Sequence, residues 1–368
     1  MERFVVMDRI SIAEETWNRI QPAIQKVGVT RVADITWLDE VGIPCAQAIR
    51  PNSRTVSVAQ GKGSTLLLAF ISAAMEAIEA WHAERVDDPC LVASMREVDG
   101  TVRYPVSALR LTKRSYLNSG TRLEWTSAAE ILTARETLVP TASLRLDSRV
   151  DEMWEPILFD VTSNGLSSGI TRNDAILHGL LEVIERDALA RVAEESTVNV
   201  LTDDLPETAA GLVRQFKKAN VDLEIEALKS PTGIPCFRVR AFSEDFMADF
   251  CGSAADADPG TALCRALTEA AQSRLAAIAG TREDFSCLLY EQDPDTKIGE
   301  RRTMPAFAPL RVEAVDLPRD SDRAVAELAS RVRGMTGHQP MVVDHTRPEI
   351  GVPVVRVICP GMLCPNDY

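Results

Sequence analysis

Three stretches of this chain are apolar almost throughout, and each carries its few charges at helical spacing. From Thr65 to Trp81 the only charged residues are Glu76 and Glu79. The periodicity predicts a helix running to about His82, with Ser64 placed to cap it. A second helix is expected from Arg172 to about Ala193, where Glu182 and Glu185 are the only formal charges between Asp174 and Arg186. A third opens at Pro259 and stops at Gly280, matching the preference for proline in the first turn and glycine just past the end. It carries Arg265, Glu269 and Gln272.

The remaining pattern alternates more. Ser11 to Gln25 reads as a helix, and Ile43–Ile49 and Thr55–Val58 read as strands joined by a turn at Pro51-Asn52-Ser53-Arg54. Gly61-Lys62-Gly63-Ser64 reads as a break. Strand and loop are expected from 96 to 160, with one short helix near Ser127 to Arg135. Asn164-Gly165 and Gly169 mark a loop. Further helices are expected at Pro206–Ala219 and Asp320–Met335. Strands are expected at Val221–Ala227, Ile234–Phe242, Met247–Ser253, Met341–Asp344 and Val352–Ile358. No repeat or linker interrupts this order, so the expectation is one α+β domain, 1–368. Within it lie a mixed segment (1–60), a core (61–361) and a short tail (362–368).

Residues three apart on a helix have Cβ atoms about 5–6 Å apart, so each acidic pair points to one place. On a solvated face such a pair costs only about 0.2–0.5 kcal/mol and needs no explanation. At ~5 Å and an effective dielectric near 20 the repulsion is about 3 kcal/mol. Helices this apolar should be largely buried, so a counter-charge is expected. Oxygen ligands without histidine or thiolate suit magnesium, which bridges carboxylates and nucleotide phosphates. Any one pair alone reads as a solvated stripe; three sparse acidic helices together favour a site. Lys62 between two glycines, just before a helix start, suits a phosphate but equally a plain turn, and the Walker spacing is absent.

Composition narrows the classes. With 368 residues, 45 % hydrophobic and 26 % charged, the chain can bury a substantial core. A net charge of -14 disfavours nucleic acid. The eight cysteines form no Cys-x-x-Cys pair, and the four histidines show no metal-like spacing. Inert, packed thiols are expected, with Cys359 and Cys364 the least clearly buried. No signal-like N-terminus is seen and the most apolar stretch carries two acids, so a cytoplasmic protein outside the membrane is expected.

Taken in order, these residues resemble the YcaO family. The matching stretches are Gly61-Lys-Gly with Ser72-Ala-Ala-Met-Glu76-Ala-Ile-Glu79, Ser163-Asn-Gly-Leu-Ser167-Ser-Gly-Ile-Thr-Arg-Asn-Asp174 into Glu182-Val-Ile-Glu185-Arg186, and Ala262-Leu-Cys-Arg265-Ala-Leu-Thr-Glu269-Ala-Ala-Gln272-Ser-Arg274. A weaker match runs from Gly351 to Gly361 through Arg356. The resemblance implies an α+β YcaO-type fold, with mixed and antiparallel sheets and long helices carrying the nucleotide site, distinct from P-loop and Rossmann folds. It implies ATP and Mg2+ as cofactors. Glu76, Glu79, Glu182, Glu185 and Glu269 would surround the metal, while Lys62, Ser72, Ser167, Asp174, Arg186, Arg265 and Gln272 would join the nucleotide site. Glu79, Glu185 and Arg265 would be the catalytic set. Asp174, Ile170 and Ala80 depart from the residues usual at those places.

Family members activate a peptide backbone amide by O-phosphorylation, and the attacking nucleophile sets the product. The wording Glu76-Ala-Ile-Glu-Ala-Trp-His-Ala-Glu84 and Gly28-Val-Thr-Arg-Val-Ala-Asp-Ile-Thr36 is similar to members that work with a TfuA partner. The tail Pro360 to Tyr368 lacks the alternating prolines of azoline formers. The resemblance therefore implies a thioamide product, a precursor peptide as substrate, TfuA-like sulfur delivery and a separate leader-peptide-binding protein, and it is compatible with a homodimer. Azoline or macroamidine formation is the alternative, and a non-catalytic nucleotide-binding accessory or an acidic structural protein lies beyond those.

Overall fold

A computed structural model describes residues 2–86, 89–149, 157–192, 198–200, 205–284, 307–308 and 312–365. The chain divides into two compact units. The first comprises Met1–Asn52, Val56–Ala77 and Val192–Asp316; the second comprises Ser53–Thr55, Ile78–Arg191 and Leu317–Tyr368.

In the first unit, helix α1 (Glu2–Lys26) precedes a three-stranded antiparallel sheet of β1 (Arg31–Asp34), β2 (Cys45–Ile49) and β3 (Val58–Lys62). Gly61 and Lys62 thus end a strand rather than forming a break. Helix α2 (Leu66–Ala83) follows, its residues to Ala77 counted in this unit and the rest in the second, and the Thr65 hydroxyl, not Ser64, accepts from the Leu68 N–H at 3.3 Å to cap it. By length and composition α2 alone among the described helices could also cross a membrane. Its buried residues Ala69, Ala73, Ala74, Ala77 and Ile78 account for that apolarity as core packing. The larger sheet of this unit runs β11-β10-β9-β8-β12, from Phe246–Ala255, Cys236–Ser243, Asp222–Leu228, Val198–Val200 and Phe307–Ala308. It is antiparallel except for the β8–β12 pair. Helices α4 (Glu207–Lys218) and α5 (Pro259–Ala279) pack with it around Phe216, Phe237, Val239, Leu263 and Leu267.

Two close approaches set the helices of this unit. A Cβ on Gly252 of β11 would lie 2.2 Å from the Ala270 N of α5, and one on Gly61 of β3 would lie 2.1 Å from the Ala73 N of α2. No heavier residue fits without moving a helix.

The second unit carries a six-stranded antiparallel sheet. Its order is β4-β5-β13-β14-β7, from Leu91–Ser94, Arg122–Glu130, Met341–Asp344, Val354–Ile358 and Leu166–Ser168, with β6 (Glu136–Pro140) also paired to β5. Trp125, Leu144 and Phe159 fill its core, and the Trp125 indole N–H donates to the Ala93 carbonyl at 2.9 Å. Helices α3 (Arg172–Ala190) and α6 (Ser321–Thr336) complete the unit.

Several expected elements change. Ser127–Arg135 is not a helix: residues 127–130 finish β5, whose burial alternates strictly enough to leave one face inward, and a turn follows. Strand β1 was not anticipated, and α1 begins well before Ser11. Cys359 is buried, while Cys90 and Cys251 are exposed. The final three residues of the chain and much of the 285–311 segment lie outside the described residues.

Candidate functional site

The anticipated site residues fall into two groups, one per unit. Lys62, Ser72, Glu76, Arg265, Glu269 and Gln272 belong to the first, and Glu79, Ser167, Asp174, Glu182, Glu185 and Arg186 to the second.

In the first unit the Gly252 approach brings α5 against β11, so that the Ser253 N–H reaches Oε1 of Glu269 at 3.4 Å. The other Glu269 oxygen accepts from the Lys62 ammonium. The Gly61 approach does the same for α2: the Gln60 backbone N–H donates to Glu76. Burial raises the Glu76 pKa above the usual carboxylate range; Arg282, the Gln60 N–H and Lys62 oppose that shift, and Glu269 adds to it. Arg265 contacts Asp256 at 3.5 Å, and Ser72 and Gln272 are half-buried.

In the second unit the Ser168 hydroxyl donates to Oε1 of Glu79. Arg186 lies beside both acids of its own helix, 3.2 Å from Glu185 and 3.8 Å from Glu182. Two residues expected to meet nucleotide also make contacts within the chain. The Ser167 hydroxyl is buried and donates to the Ala175 carbonyl at 2.7 Å. Asp174 closes a capping box with Thr171, accepting from its N–H at 3.0 Å while its own N–H donates to the threonine hydroxyl at 3.2 Å.

The counter-charge argued from sequence is therefore met in part by the chain itself. Lys62 serves Glu269 and Arg186 serves the α3 pair. Carboxylate oxygens remain the right donors for a hard cation, and Glu76, whose charged form burial disfavours, gains most from one. Among the described residues no three acids, imidazoles or thiols gather closely enough to cage a metal as they stand.

Three residues near these acids were given no site role by the sequence. Arg282 acts on Glu76. Gln60 is buried, and among the described residues its side-chain Nε2 has no hydrogen-bond partner. Arg356 is buried in β14 with Nη1 donating to the Thr162 carbonyl at 2.7 Å, while among the described residues Nε and Nη2 have no partner. Burial pushes its pKa down to about 10, and Glu182 pulls the other way. A lone arginine inside Val-Val-Arg-Val-Ile and a glutamine inside Val-Ala-Gln-Gly are polar residues in apolar strands, the one signal that marks them. Bare N–H groups of this kind suit ligand oxygens, and the carboxylates within each unit suit a magnesium ion.

The chain is similar to several known proteins. An uncharacterised protein of Mycobacterium tuberculosis is 37% identical over 367 residues, covering 96% of this chain and 82% of its own length. An uncharacterised protein encoded in the tfuA 3' region of Rhizobium leguminosarum bv. trifolii is 32% identical over 379 residues, covering 96% and 88%. Two solved structures share the fold: a heterocyclase in complex with substrate and cofactor (TM-score 0.77, 22% identity, 96% of this chain and 52% of that one) and YcaO from Methanopyrus kandleri bound with AMPPCP and Mg2+ (TM-score 0.72, 24% identity, 95% and 91%). The chain thus spans about half the length of that heterocyclase. The family model described as YcaO cyclodehydratase, ATP- and Mg2+-binding, matches residues 60–363, and on that match and these relatives the chain belongs to the YcaO family.

Proposed function

We propose that this protein is a single catalytic domain that uses ATP and Mg2+ to activate a backbone amide of a ribosomally made peptide, and that sulfide from a TfuA-like partner then gives a thioamide. The observation that carries the reading is the placement of all five candidate glutamates beside a cation or an N–H or O–H donor in partly or fully buried surroundings, within a chain of this family. The amide oxygen attacks the γ-phosphorus, the β–γ bridging P–O bond breaks and ADP leaves. Hydrosulfide adds to the amide carbon, and the former amide oxygen departs with the phosphate, which keeps the proton brought by sulfur. Bound magnesium would supply positive charge to the phosphates.

The chain's own contribution is binding and electrostatics. Lys62, Arg186, Arg265 and the bare edge of Arg356 are the cationic groups for phosphate, and Glu76, Glu79, Glu182, Glu185 and Glu269 are the candidate metal ligands; Ser72 and Gln272 are proposed to line the nucleotide. Use of ATP puts the reaction in the cytoplasm. The sulfide branch rests on the tfuA-region relative. The family description as a cyclodehydratase favours the second reading, attack by a neighbouring Cys, Ser or Thr to give an azoline.

Mass spectrometry of a precursor peptide treated with the protein, partner, sulfide and Mg-ATP separates the two: a gain of about 16 Da marks a thioamide and a loss of about 18 Da an azoline. Glu79→Gln and Glu185→Gln are each expected to lower turnover at least about a hundredfold, as loss of a transition-state contact does. Full activity in both variants rejects the site.

A further inference from the structure

The second unit contains a cavity of about 260 Å³ well away from the paired glutamates in sequence. Its floor is apolar, from Ala129, Ile131, Ile176, Val325 and Val342, and its polar lining is Glu130, Arg172, Asn173 and Asp322. Glu130 ends β5 and is only 5% exposed. Its Oε2 accepts from the Thr133 hydroxyl, and among the described residues its Oε1 has no donor and its carboxylate no cationic partner. An acceptor oxygen left without a donor in so enclosed a place is open to a ligand N–H. Arg172 does not fill that role, since its guanidinium is held by Asp344 at 2.9 Å. Asp322, in the first turn of α6, adds a second negative charge at the same cavity and contacts Asn173. The cavity therefore joins an aliphatic floor to an excess of negative charge.

We propose that this cavity binds a primary alkylammonium group, the chemistry of a lysine side chain or of a peptide N-terminus, with the ammonium on Glu130 and Asp322 and the methylenes on Ala129, Ile176 and Val325. Two carboxylates match the three donors of an ammonium, and the apolar floor covers a four-carbon stem; a guanidinium or an anion would leave one of those features unused. The site begins at Arg172, the first residue of the helix that carries Glu182 and Glu185. Recognition of the peptide at this point extends the proposed function without depending on it, because binding is read without ATP.

The test is calorimetric titration of the purified full chain with N-acetyl-lysine amide, N-acetyl-norleucine amide and leucine amide, the last carrying a free N-terminal ammonium. Saturable millimolar binding is expected for an ammonium probe, weakened about tenfold by Glu130→Gln and by Asp322→Asn, with norleucine weak throughout. The lysine and leucine arms show which source of ammonium the cavity prefers. Asp322 is exposed, so its variant tests the cavity even where Glu130→Gln fails to fold. Equal affinity of both variants and the parent for the ammonium probes, or no preference for them over norleucine, overturns the proposal.

Discussion

His345 holds its imidazole pKa down to about 3, because burial disfavours the cation and Arg356 and His82 add to that effect. His82, almost wholly buried with Nδ1 against the Ile78 carbonyl at 2.7 Å, is shifted the same way, chiefly by burial. An unfolded histidine titrates near about 6.5, so the unfolded chain binds more protons below that pH. Stability is complete above about pH 6.5 and declines toward pH 3; His345 alone contributes about 2 kcal/mol of loss by pH 5. Melting curves between pH 7 and pH 5 should show this decline, and His345→Asn should flatten it. An unchanged slope in that variant assigns the acid sensitivity elsewhere. At this scale the sequence was only partly legible. The acids could be paired by spacing alone, but that Arg186 already sits against two of them, or that Arg274 is spent on Asp39 at 2.9 Å in the core, needs the contacts themselves. Helical spacing reports direction and leaves tertiary neighbours unread.

The long helices were legible because their ends carry their own chemistry. Asp258 accepts from the Thr261 N–H at 2.7 Å, Pro259 occupies the first turn, and Gly280 turns left-handed at φ 60, so α5 lies almost where its caps put it. Residues 127–130 misled for the opposite reason: Ala128, Ala129 and Glu130 favour a helix, yet pairing with β6 and β13 overrides that preference. The end of α2 is packed inward. His82, Ala83 and Glu84 are buried, and Trp81 packs beneath Arg85 at 4.4 Å and Arg347 at 5.6 Å. For the strand-to-helix contact, Gly252→Ala would drive a Cβ into the α5 backbone, with an expected cost of about 3 kcal/mol and displacement of Glu269. Thermal melts and Mg-ATP titration should both register it, and a variant as stable and as avid as the parent refutes the close approach.

Each unit of the molecule has its own hydrophobic core, and the family match runs through both. The overall class, α+β with antiparallel sheets and long acidic helices, was readable from pattern and motif order. The division into units was not, because residues 53–55 leave the first segment for the second within a few positions of chain, with no change of composition to mark it. What secures them is Glu84. It is fully buried, accepts from Ser53 at 2.7 Å and Thr55 at 3.1 Å, and pairs with Arg85 at 3.0 Å, while its backbone carbonyl takes the Arg54 guanidinium at 2.7 Å. A Pro-Asn-Ser-Arg-Thr turn would ordinarily be a ready cleavage point for a protease that cuts after arginine. Here the scissile bond is tied down from both sides, so limited trypsinolysis of the native chain should spare Arg54. Glu84→Gln should open that bond, yielding a fragment that ends at Arg54 well before global melting. Equal resistance in the variant means the turn is protected by something other than this carboxylate.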